Sequence, residues 1–413
     1  MCYGGCVQLI TVLVWECSQN SIRHAKVTGM GRALGFPLTG NKLQDEEKFM
    51  DRRKFITTAG AAGTAAAAAT VAAPAIAASS REMTIVSSWP RDFPGLGISA
   101  QRLAARITEV SEGRINTTYF ASGERVGGFD VFDEVASGNS QAFISAAYYW
   151  KGKHPAFAYF CSVPFGMTTI EWNAWIKFKG GQELWDELNS DYGLKSLPAG
   201  ATGTQMGGWF NKEINSTDDL KGLKMRIPGL GGDVMALLGA SPVSLPGGQI
   251  YENLVSGAID ATEWVGPYND YFMKFYEAAK YYYYPGFHEP GGGVEMCFNK
   301  SWWSSLSDWE RAVITACCME EHAAQYEECQ ANNGAYLVKL VEEHGVELKQ
   351  FGEDIYEGFG EASAEMYEGV RDHSPLAKKI NDHFQATLRE IGGWQAKAEA
   401  AYAPLRNRVL GIG

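Results

Sequence analysis

Positive charge is scarce in this sequence. Its 36 lysines and arginines are outnumbered by 48 aspartates and glutamates, and the formal net charge is −12 at pH 7. Proteins that bind nucleic acid or anionic membranes present clustered basic residues, so this balance argues against both kinds of partner. It does not exclude a small anionic ligand, because one buried arginine is enough to set the local field of a pocket.

Paired cysteines and the common catalytic motifs are also missing. The eight cysteines include no Cys-x-x-Cys spacing, which excludes the usual zinc and redox motifs. The sequence contains no Gly-x-Ser-x-Gly, no His-Glu-x-x-His and no Gly-x-x-x-x-Gly-Lys, which are the signatures of hydrolases, zinc proteases and P-loop enzymes. We therefore predict that the protein is not an enzyme and carries no catalytic cofactor.

The early part of the chain has the pattern of an export signal. Arg52-Arg53 precedes an alanine- and glycine-rich run over 59–73, and Pro74-Ala75-Ile76-Ala77 gives an Ala-x-Ala cleavage pattern. These features are typical of a twin-arginine signal peptide, which predicts a periplasmic protein cleaved near Ala77. A membrane anchor is the alternative, although alanine and glycine give such a run little transfer energy.

A short strand that ends at an arginine is the first candidate binding element. Apolar residues alternate with Lys224 and Arg226, which is the period of a strand. Pro228-Gly229 then breaks the strand directly after the arginine. Two interpretations of Arg226 are open, a solvated surface charge or a clamp for a carboxylate. The clamp is chemically apt because guanidinium is a planar fork that can hold both carboxylate oxygens.

Four motifs follow one another along the chain in a recognisable order. They are Thr204-Gln205-Met206-Gly207-Gly208-Trp209-Phe210, Lys224-Met225-Arg226-Ile227-Pro228-Gly229, Ile259-Asp260-Ala261-Thr262-Glu263-Trp264, and the stretch from Tyr281 to Pro290 that contains Phe287-His288-Glu289. Together they resemble the periplasmic solute receptors of TRAP transporters. The fourth motif resembles the branch that binds 2-oxo acids. The resemblance extends from about Met83 to the C-terminus.

This resemblance implies roles for individual residues. Arg226 would clamp the substrate carboxylate, while Gln205 and Glu263 would give oxygen ligands to a bound cation, joined by the backbone carbonyl of Trp264. Na⁺ or Ca²⁺ is the expected cation because hard cations take oxygen ligands. Apart from the resemblance, Glu263 could equally be a surface acid and Gln205 a satisfied core amide. His288 is given no role and could equally be an ordinary loop histidine.

Tyr148 and Tyr149 are candidate walls of the substrate pocket. They end a predicted strand over 142–149, although an aromatic residue on a buried strand is as often part of the core. The pattern of 127–142, a helix that stops at Ser-Gly and leads into a strand, recurs weakly at 247–261. Two similar α/β halves that offer strand ends to one cleft are typical of a two-lobed solute-binding protein.

The predicted fold is therefore α/β and two-lobed, with a ligand cleft between the lobes and long C-terminal helices. Residues 1–49 are a doubtful extension, because Met50 is a plausible start. We expect a signal peptide over 50–77, the first part of lobe 1 over 78–202, lobe 2 over 203–298, and a return to lobe 1 with the C-terminal helices over 299–413.

The C-terminal region contains a long apolar stripe. Ser307-Asp308-Trp309-Glu310 is a capping box that predicts the start of one long helix. Further on, apolar residues from Leu376 to Leu405 recur at spacings of three and four, the pattern of a single amphipathic helix of about 30 residues. Such a stripe needs a long partner surface. It either braces both lobes or forms a homodimer through the C-terminal helix.

The expected function is that of the periplasmic substrate-binding subunit of a TRAP transporter. It would bind a 2-oxo monocarboxylate such as pyruvate together with a cation, close its lobes by a hinge motion, and deliver the acid to a membrane permease. Two alternatives are open. A protein exported by the twin-arginine route could be a periplasmic enzyme, and a solute receptor could serve a sensor protein instead of a permease.

Overall fold

The computed structural model describes residues 80–412, which form two β-sheets surrounded by helices. The strands are β1 (Arg81–Ser87), β2 (Ile115–Phe120), β3 (Ala142–Ser145), β4 (Leu194–Ala201), β5 (Gly208–Phe210), β6 (Lys224–Arg226), β7 (Ser241–Val243), β8 (Ala261–Thr262), β9 (Tyr281–Tyr284), β10 (Gly293–Asn299) and β11 (Glu347–Gln350). The α-helices are α1 (Leu96–Val110), α2 (Val131–Ala136), α3 (Thr169–Phe178), α4 (Gly181–Ser190), α5 (Gly229–Leu237), α6 (Ile250–Val255), α7 (Pro267–Met273), α8 (Lys300–Ser305), α9 (Asp308–Glu342), α10 (Glu353–His373), α11 (Pro375–Gln395) and α12 (Glu399–Leu410).

The first sheet has the strand order β2-β1-β3-β10-β4. β1 is parallel to β2 and β3, and β10 is antiparallel to both of its neighbours, β3 and β4. β3 and β10 are almost entirely buried, as expected for strands covered by helices on both faces.

The second sheet has the order β11-β9-β5-β8-β6-β7. β6 is parallel to β7 and β8, whereas β5 is antiparallel to β8 and β9. The two sheets with their helical cover confirm the predicted α/β fold class.

The chain passes between the two sheets more than once. It leaves the first sheet after β4, returns to it with β10, and joins the second sheet again with β11. The sequence interpretation began the return to lobe 1 at residue 299, whereas β10 of the first sheet starts at Gly293. Three chain segments therefore link the two sheets: one after β4, one before β10 and one before β11. A link made of several segments suits a hinge between two lobes.

Helix α9 contacts β4 of the first sheet and α7, the helix that follows β8 of the second sheet. It begins with the predicted capping box, in which the Glu310 amide donates to Ser307 Oγ at 3.2 Å and the Ser307 amide donates to a Glu310 carboxylate oxygen at 2.7 Å. His322 bonds the carbonyl oxygen of Gly200 in β4 at 2.8 Å. Tyr268 of α7 donates to Glu328 at 2.9 Å. At 35 residues, the helix is roughly 50 Å long, enough to brace two lobes.

The predicted single C-terminal helix was wrong in one respect. The apolar stripe continues, but the backbone breaks between α11 and α12, over Ala396–Ala398. Gly392-Gly393 precedes the break and Pro404 lies inside α12, and both residue types weaken a helix. Ile380 and Phe384 of α11 are buried, whereas no residue within α12 is. Periodicity alone did not reveal this change of direction.

The cysteines, the absence of a membrane-spanning helix in residues 80–412 and the signal peptide also bear on the sequence predictions. Cys161, Cys297, Cys317, Cys318 and Cys329 are all buried free thiols. Within residues 80–412, no helix has the length and apolar character needed to cross a membrane. The predicted signal peptide and its cleavage point near Ala77 lie outside the described residues.

Candidate ligand and cation site

Two neighbouring strands bring Arg226 and Glu263 together. β6 and β8 run parallel with Arg226 opposite Thr262, so the residues that follow each strand emerge at the same edge of the sheet. The Glu263 amide donates to the carbonyl oxygen of Arg226 at 3.2 Å. The carboxyl ends of parallel strands are where open α/β sheets bind ligands.

The Arg226 side chain is fully buried, and most of its donors are bonded to the protein. Nη1 pairs with the Glu263 carboxylate and also donates to the Glu263 carbonyl oxygen at 3.3 Å, while Nε donates to the carbonyl oxygen of Leu245 at 3.2 Å. Nη2 is buried without a partner among the described residues. Burial, the largest influence, acts to lower the pKa of Arg226, but Glu263 together with Tyr149 and Tyr148 outweighs it, and the net pKa lies above its usual range. The guanidinium therefore stays charged.

The second oxygen of Glu263 is also engaged. Oε2 lies 3.2 Å from Nε2 of His288, and both side chains are essentially inaccessible to solvent. His288 Nδ1 has no partner within the described part of the chain. Of the two interpretations left open for His288, the structure does not favour an ordinary loop histidine, because the side chain is buried against Glu263.

Gln205 presents an unpaired oxygen. Its Nε2 donates to Thr202 Oγ1 at 3.0 Å, and its backbone amide donates to the carbonyl oxygen of Glu289 at 3.0 Å. Its Oε1 is buried and has no partner in residues 80–412. A buried carbonyl oxygen without a donor is costly, and a cation would satisfy it.

Trp264 connects the arginine to the other lobe. The Arg226 guanidinium carbon lies 5.2 Å from the centroid of the Trp264 ring, within cation–π range. Phe93, next to α1, contacts the same indole edge to face, with ring centroids 5.4 Å apart. The indole Nε1 is buried and unpaired among the described residues.

Tyr148 and Tyr149 lie at the site, but not at the end of a strand. β3 stops at Ser145, and both tyrosines belong to a 3₁₀ helix over Ala147–Gly152. Tyr148 packs against Gly229, where an added Cβ would lie 3.2 Å from the tyrosine and where φ is +63°. Burial raises the pKa of both phenols, so they act as neutral walls.

Several of these residues line one small cavity. It contains about 290 Å³ free of protein atoms, of which about 20 Å³ can take the centre of a water-sized sphere. Its wall contains the predicted site residues Gln205, Trp264, Tyr148 and Tyr149, together with Glu289. Arg226 and Glu263 are not in this wall and adjoin it through Trp264. By the second measure the cavity takes about one or two water-sized molecules.

Glu289 is the acid that the sequence analysis quoted without giving it a role. It is 3% exposed, and Glu263, His288 and Glu289 each present an atom within 4.8 Å of the others. Burial first, and the charge of Glu263 second, raise the pKa of Glu289 well above its usual range, while Tyr148 and Arg226 act in the opposite direction. Two carboxyl groups therefore share this buried region.

The atoms gathered here fit a hard cation. The amide oxygen of Gln205 has no protein donor, and two buried carboxyl groups lie close by. Ca²⁺ and Na⁺ prefer such oxygen ligands, whereas zinc and copper sites favour sulfur and imidazole. The site also offers Arg226 Nη2 as a free donor for an anion. The arrangement can hold an anion and a cation side by side.

Comparison with known proteins agrees with this site. Residues 86–372 match the DctP family, described as bacterial extracellular solute-binding protein, family 7. This chain belongs to that family. It is 38% identical over 318 residues to the monocarboxylate 2-oxoacid-binding periplasmic protein of Nostoc sp., covering 77% of this chain and 87% of that protein. The resemblance to TRAP solute receptors of the 2-oxo-acid branch is confirmed.

Solved structures of family members have the same two-lobed fold and contain bound cations. The TRAP solute-binding protein of Colwellia psychrerythraea holds calcium and pyruvate (36% identity, TM-score 0.76, 78% of this chain and 98% of that one). That of Pseudoalteromonas atlantica holds sodium and pyruvate (35%, 0.76, 78% and 98%). That of Bordetella bronchiseptica is a dimer of mixed occupancy with calcium and picolinate (31%, 0.79, 80% and 98%).

The sequence contains a pattern that could have identified His288 and Glu289 as candidate site residues. Phe287-His288-Glu289-Pro290 begins three residues after the end of the strand Tyr281–Tyr284. Acidic and imidazole side chains at such a strand end are candidates for a site at the edge of a sheet. The partner of His288, Glu263, is 25 residues away in sequence, so their contact could not be read from local spacing.

Proposed function

We propose that this family member is a periplasmic receptor that binds a 2-oxo monocarboxylate together with a cation and delivers it to the membrane permease of a TRAP transporter. The observation that carries the proposal is the set of buried, unpaired polar atoms around one small cavity. Arg226 Nη2 is a donor that suits a carboxylate, and Gln205 Oε1 is an acceptor that suits a cation.

The structure refines how Arg226 would act. A free guanidinium holds a carboxylate with two parallel hydrogen bonds, but here Nε and Nη1 already bond Leu245 and Glu263. Nη2 is the donor left for the acid. The interaction with Glu263 fixes the direction of this donor, so little side-chain entropy remains to be lost on binding.

The proposed cation ligands are Gln205 Oε1, the Glu263 carboxylate and the backbone carbonyl of Trp264. A bound Na⁺ or Ca²⁺ supplies positive charge to the carboxylate and keto oxygens on one edge of a 2-oxo acid. The oxygens of Gln205 and Glu263 hold that charge in place. Tyr148 and Tyr149 close the remaining wall with apolar ring surface. This favours a short acid such as pyruvate over a sugar acid.

The domain organisation and the location belong to the same proposal. We assign 50–77 to a twin-arginine signal peptide, 78–202 to the first part of lobe 1 and 203–298 to lobe 2, with the start of the return moved from 299 to Gly293, where β10 of the first sheet begins. Relatives with the same fold are periplasmic receptors, which supports export. Their role as receptors also supports a function other than catalysis.

A homodimer through the C-terminal helices is part of the proposal as well. Trp394 of α11 and Tyr402, Leu405 and Val409 of α12 are between 51% and 77% exposed, and a group of exposed apolar residues is typical of a contact surface. The Bordetella relative is a dimer. Sedimentation of the wild type and of Tyr402→Asp would test this contact, and a wild type that sediments as a monomer at high concentration would contradict it.

The decisive experiment is calorimetric titration of pyruvate into protein stripped of metal, repeated after Na⁺ or Ca²⁺ is restored. We expect at least tenfold tighter binding with a cation, about 1.4 kcal/mol. Linkage requires pyruvate to tighten cation binding by the same factor. Gln205→Leu should abolish the cation effect, whereas Gln249→Leu, at an exposed position, should preserve it.

Two results would argue against the proposal. If no 2-oxo acid raises the melting temperature or gives heat of binding in any of these buffers, the receptor function is wrong. If pyruvate binds equally well with and without a cation, Arg226 is the only clamp, and Gln205 and Glu263 are part of the scaffold.

A further inference from the structure

Two lysines at the end of the 3₁₀ helix over Ala147–Gly152 pair with acids in different lobes. Lys153 Nζ lies 2.6 Å from Oδ1 of Asp133, which belongs to α2 beside the first sheet. Lys151 Nζ lies 2.5 Å from Oδ1 of Asp233, which belongs to α5 beside the second sheet. The first pair therefore stays within one lobe, whereas the second joins the two lobes.

The Lys151–Asp233 pair lies next to the candidate site. Lys151 comes two residues after Tyr149, and Asp233 comes seven residues after Arg226. Both charged residues line an outer cavity of about 430 Å³, and Tyr148 and Tyr149 form part of the same wall. The two tyrosines also line the small inner cavity. The ion pair thus connects the two lobes across the space just outside the tyrosines.

Within residues 80–412, neither member of this pair has a second ionic partner. The side chains of Lys151 and Asp233 are 33% and 47% exposed, so both charges would pass into water if the lobes separated. The pair is therefore a contact of the closed arrangement alone, and a contact made in one state shifts the equilibrium towards that state. Because exposed ion pairs are weak, we expect a shift of about threefold rather than a large one.

We propose that Lys151 and Asp233 form an ionic clasp between the lobes, which slows the release of the bound acid. The inference rests on the proposed function, because it requires lobes that open to let the acid leave. Neither residue lines the inner cavity, so the clasp contacts neither the acid nor its cation. It stabilises the closed arrangement, and the rate of dissociation is the quantity that it changes.

Two other roles for the pair predict different kinetics. An ion pair that only obstructs the outer cavity would slow entry and exit equally, so its removal would leave the affinity for pyruvate unchanged. An ion pair that only holds the 3₁₀ helix in place would matter no more than that of Lys153, which fixes the same helix end to α2. A clasp changes exit alone and depends on the partner in the other lobe.

The test is stopped-flow dissociation of pyruvate from protein saturated with CaCl₂, followed by tryptophan fluorescence. We expect Lys151→Met to raise the dissociation rate about threefold with an association rate close to that of the wild type, so that affinity falls by the same factor. Lys153→Met is the matched control, because it removes a lysine of similar exposure, 32% against 33%, from the same helix end. It should keep the wild-type dissociation rate.

A double-mutant cycle shows whether the two residues act on each other. Asp233→Asn should raise the dissociation rate as much as Lys151→Met, and the double variant should be no faster than either single variant. Exchange of the charges, Lys151→Asp with Asp233→Lys, should return the rate towards that of the wild type. Screening by choline chloride should raise the wild-type rate and leave that of Lys151→Met unchanged, because only the wild type has the pair.

Several results would overturn the inference. They are an unchanged dissociation rate in Lys151→Met, additive effects in the double variant, and equal acceleration of association and dissociation. A loss as large in Lys153→Met would also overturn it. Failure of the wild type to bind pyruvate at all would instead refute the proposed function.

The clasp can also be decided without an acid. Energy transfer between dyes on Glu112→Cys in the first lobe and Glu252→Cys in the second, both at exposed positions, reports the fraction of closed molecules. The native cysteines of residues 80–412 are buried, so the dyes would attach at the introduced positions. Lys151→Met should lower the closed fraction about threefold, and an unchanged closed fraction would contradict the clasp.

Discussion

Two buried acidic groups in the second lobe contrast with each other. Asp270 accepts from Trp209 Nε1 at 2.9 Å, from Tyr282 Oη at 2.7 Å, and from the amides of Val265 and Gly266 at 3.1 Å each. A few residues away, the group around Glu263 and Glu289 leaves polar atoms of its neighbours unpaired. Both acids are buried, so burial alone does not identify a binding site. The two regions differ in whether the buried polar atoms around the carboxyl group all have hydrogen-bond partners in the protein.

This comparison assigns the two regions different roles. Asp270 fixes the backbone after Trp264 by accepting from the amides of Val265 and Gly266. Its hydrogen bonds are all formed within the protein, without a ligand. The Glu263–Glu289 region is complete only when something enters the cavity. We therefore expect substitutions at Asp270 to act mainly on stability and those at the cavity to act mainly on binding.

The largest expected effect is that of Asp270→Ala. It leaves four buried donors without an acceptor, and each unsatisfied group costs about 1–3 kcal/mol. We expect the free energy of unfolding to fall by about 3 kcal/mol or more in urea denaturation. Asp270→Asn keeps part of the acceptor capacity and should lose less. A loss of under about 1 kcal/mol for alanine would show that the Asp270 network is not structural.

The next effect in size is the pH dependence of stability that Glu295 imposes. Burial raises the pKa of Glu295 to about 7 from the usual 4.5. The folded state therefore binds more protons than the unfolded chain between these values, and the free energy of unfolding falls as pH rises through this window. Relative to the wild type, Glu295→Gln should gain roughly 3 kcal/mol between pH 4.5 and 8. Parallel pH profiles for the two proteins would contradict the assignment.

The smallest expected effect in free energy is that of Arg226→Lys. Lysine keeps the positive charge beside Glu263. Its single ammonium group cannot bond Leu245 and Glu263 and at the same time point a third donor at the bound 2-oxo acid. We expect pyruvate affinity to fall about tenfold, or about 1.4 kcal/mol, with a melting temperature close to that of the wild type. Unchanged affinity in calorimetry would mean that Arg226 only pairs with Glu263. In that case the contrast with Asp270 would be wrong, because Arg226 would have no role in binding the acid.

The sequence predicted the elements around the site better than the contacts within it. Alternation before Pro228 identified the strand of Arg226, and the capping box at Ser307 identified the start of α9. Burial of Gln205 and Trp264 in one cavity also followed the expectation. The pairing of Glu263 with His288 was not predictable, because it depends on how β8 lies relative to the loop after β9. The break between α11 and α12 was missed because apolar spacing does not record a change in backbone direction.

The position of β10 has a consequence for how the polypeptide is made. This strand lies between β3 and β4 in the first sheet, yet it is synthesised after every strand of the second sheet except β11. β3 and β4 are therefore synthesised long before β10, the strand that pairs with both of them. The edges of β3 and β4 that pair with β10 stay unpaired until about residue 299 has been synthesised. The order in which the first sheet assembles therefore differs from the order of translation.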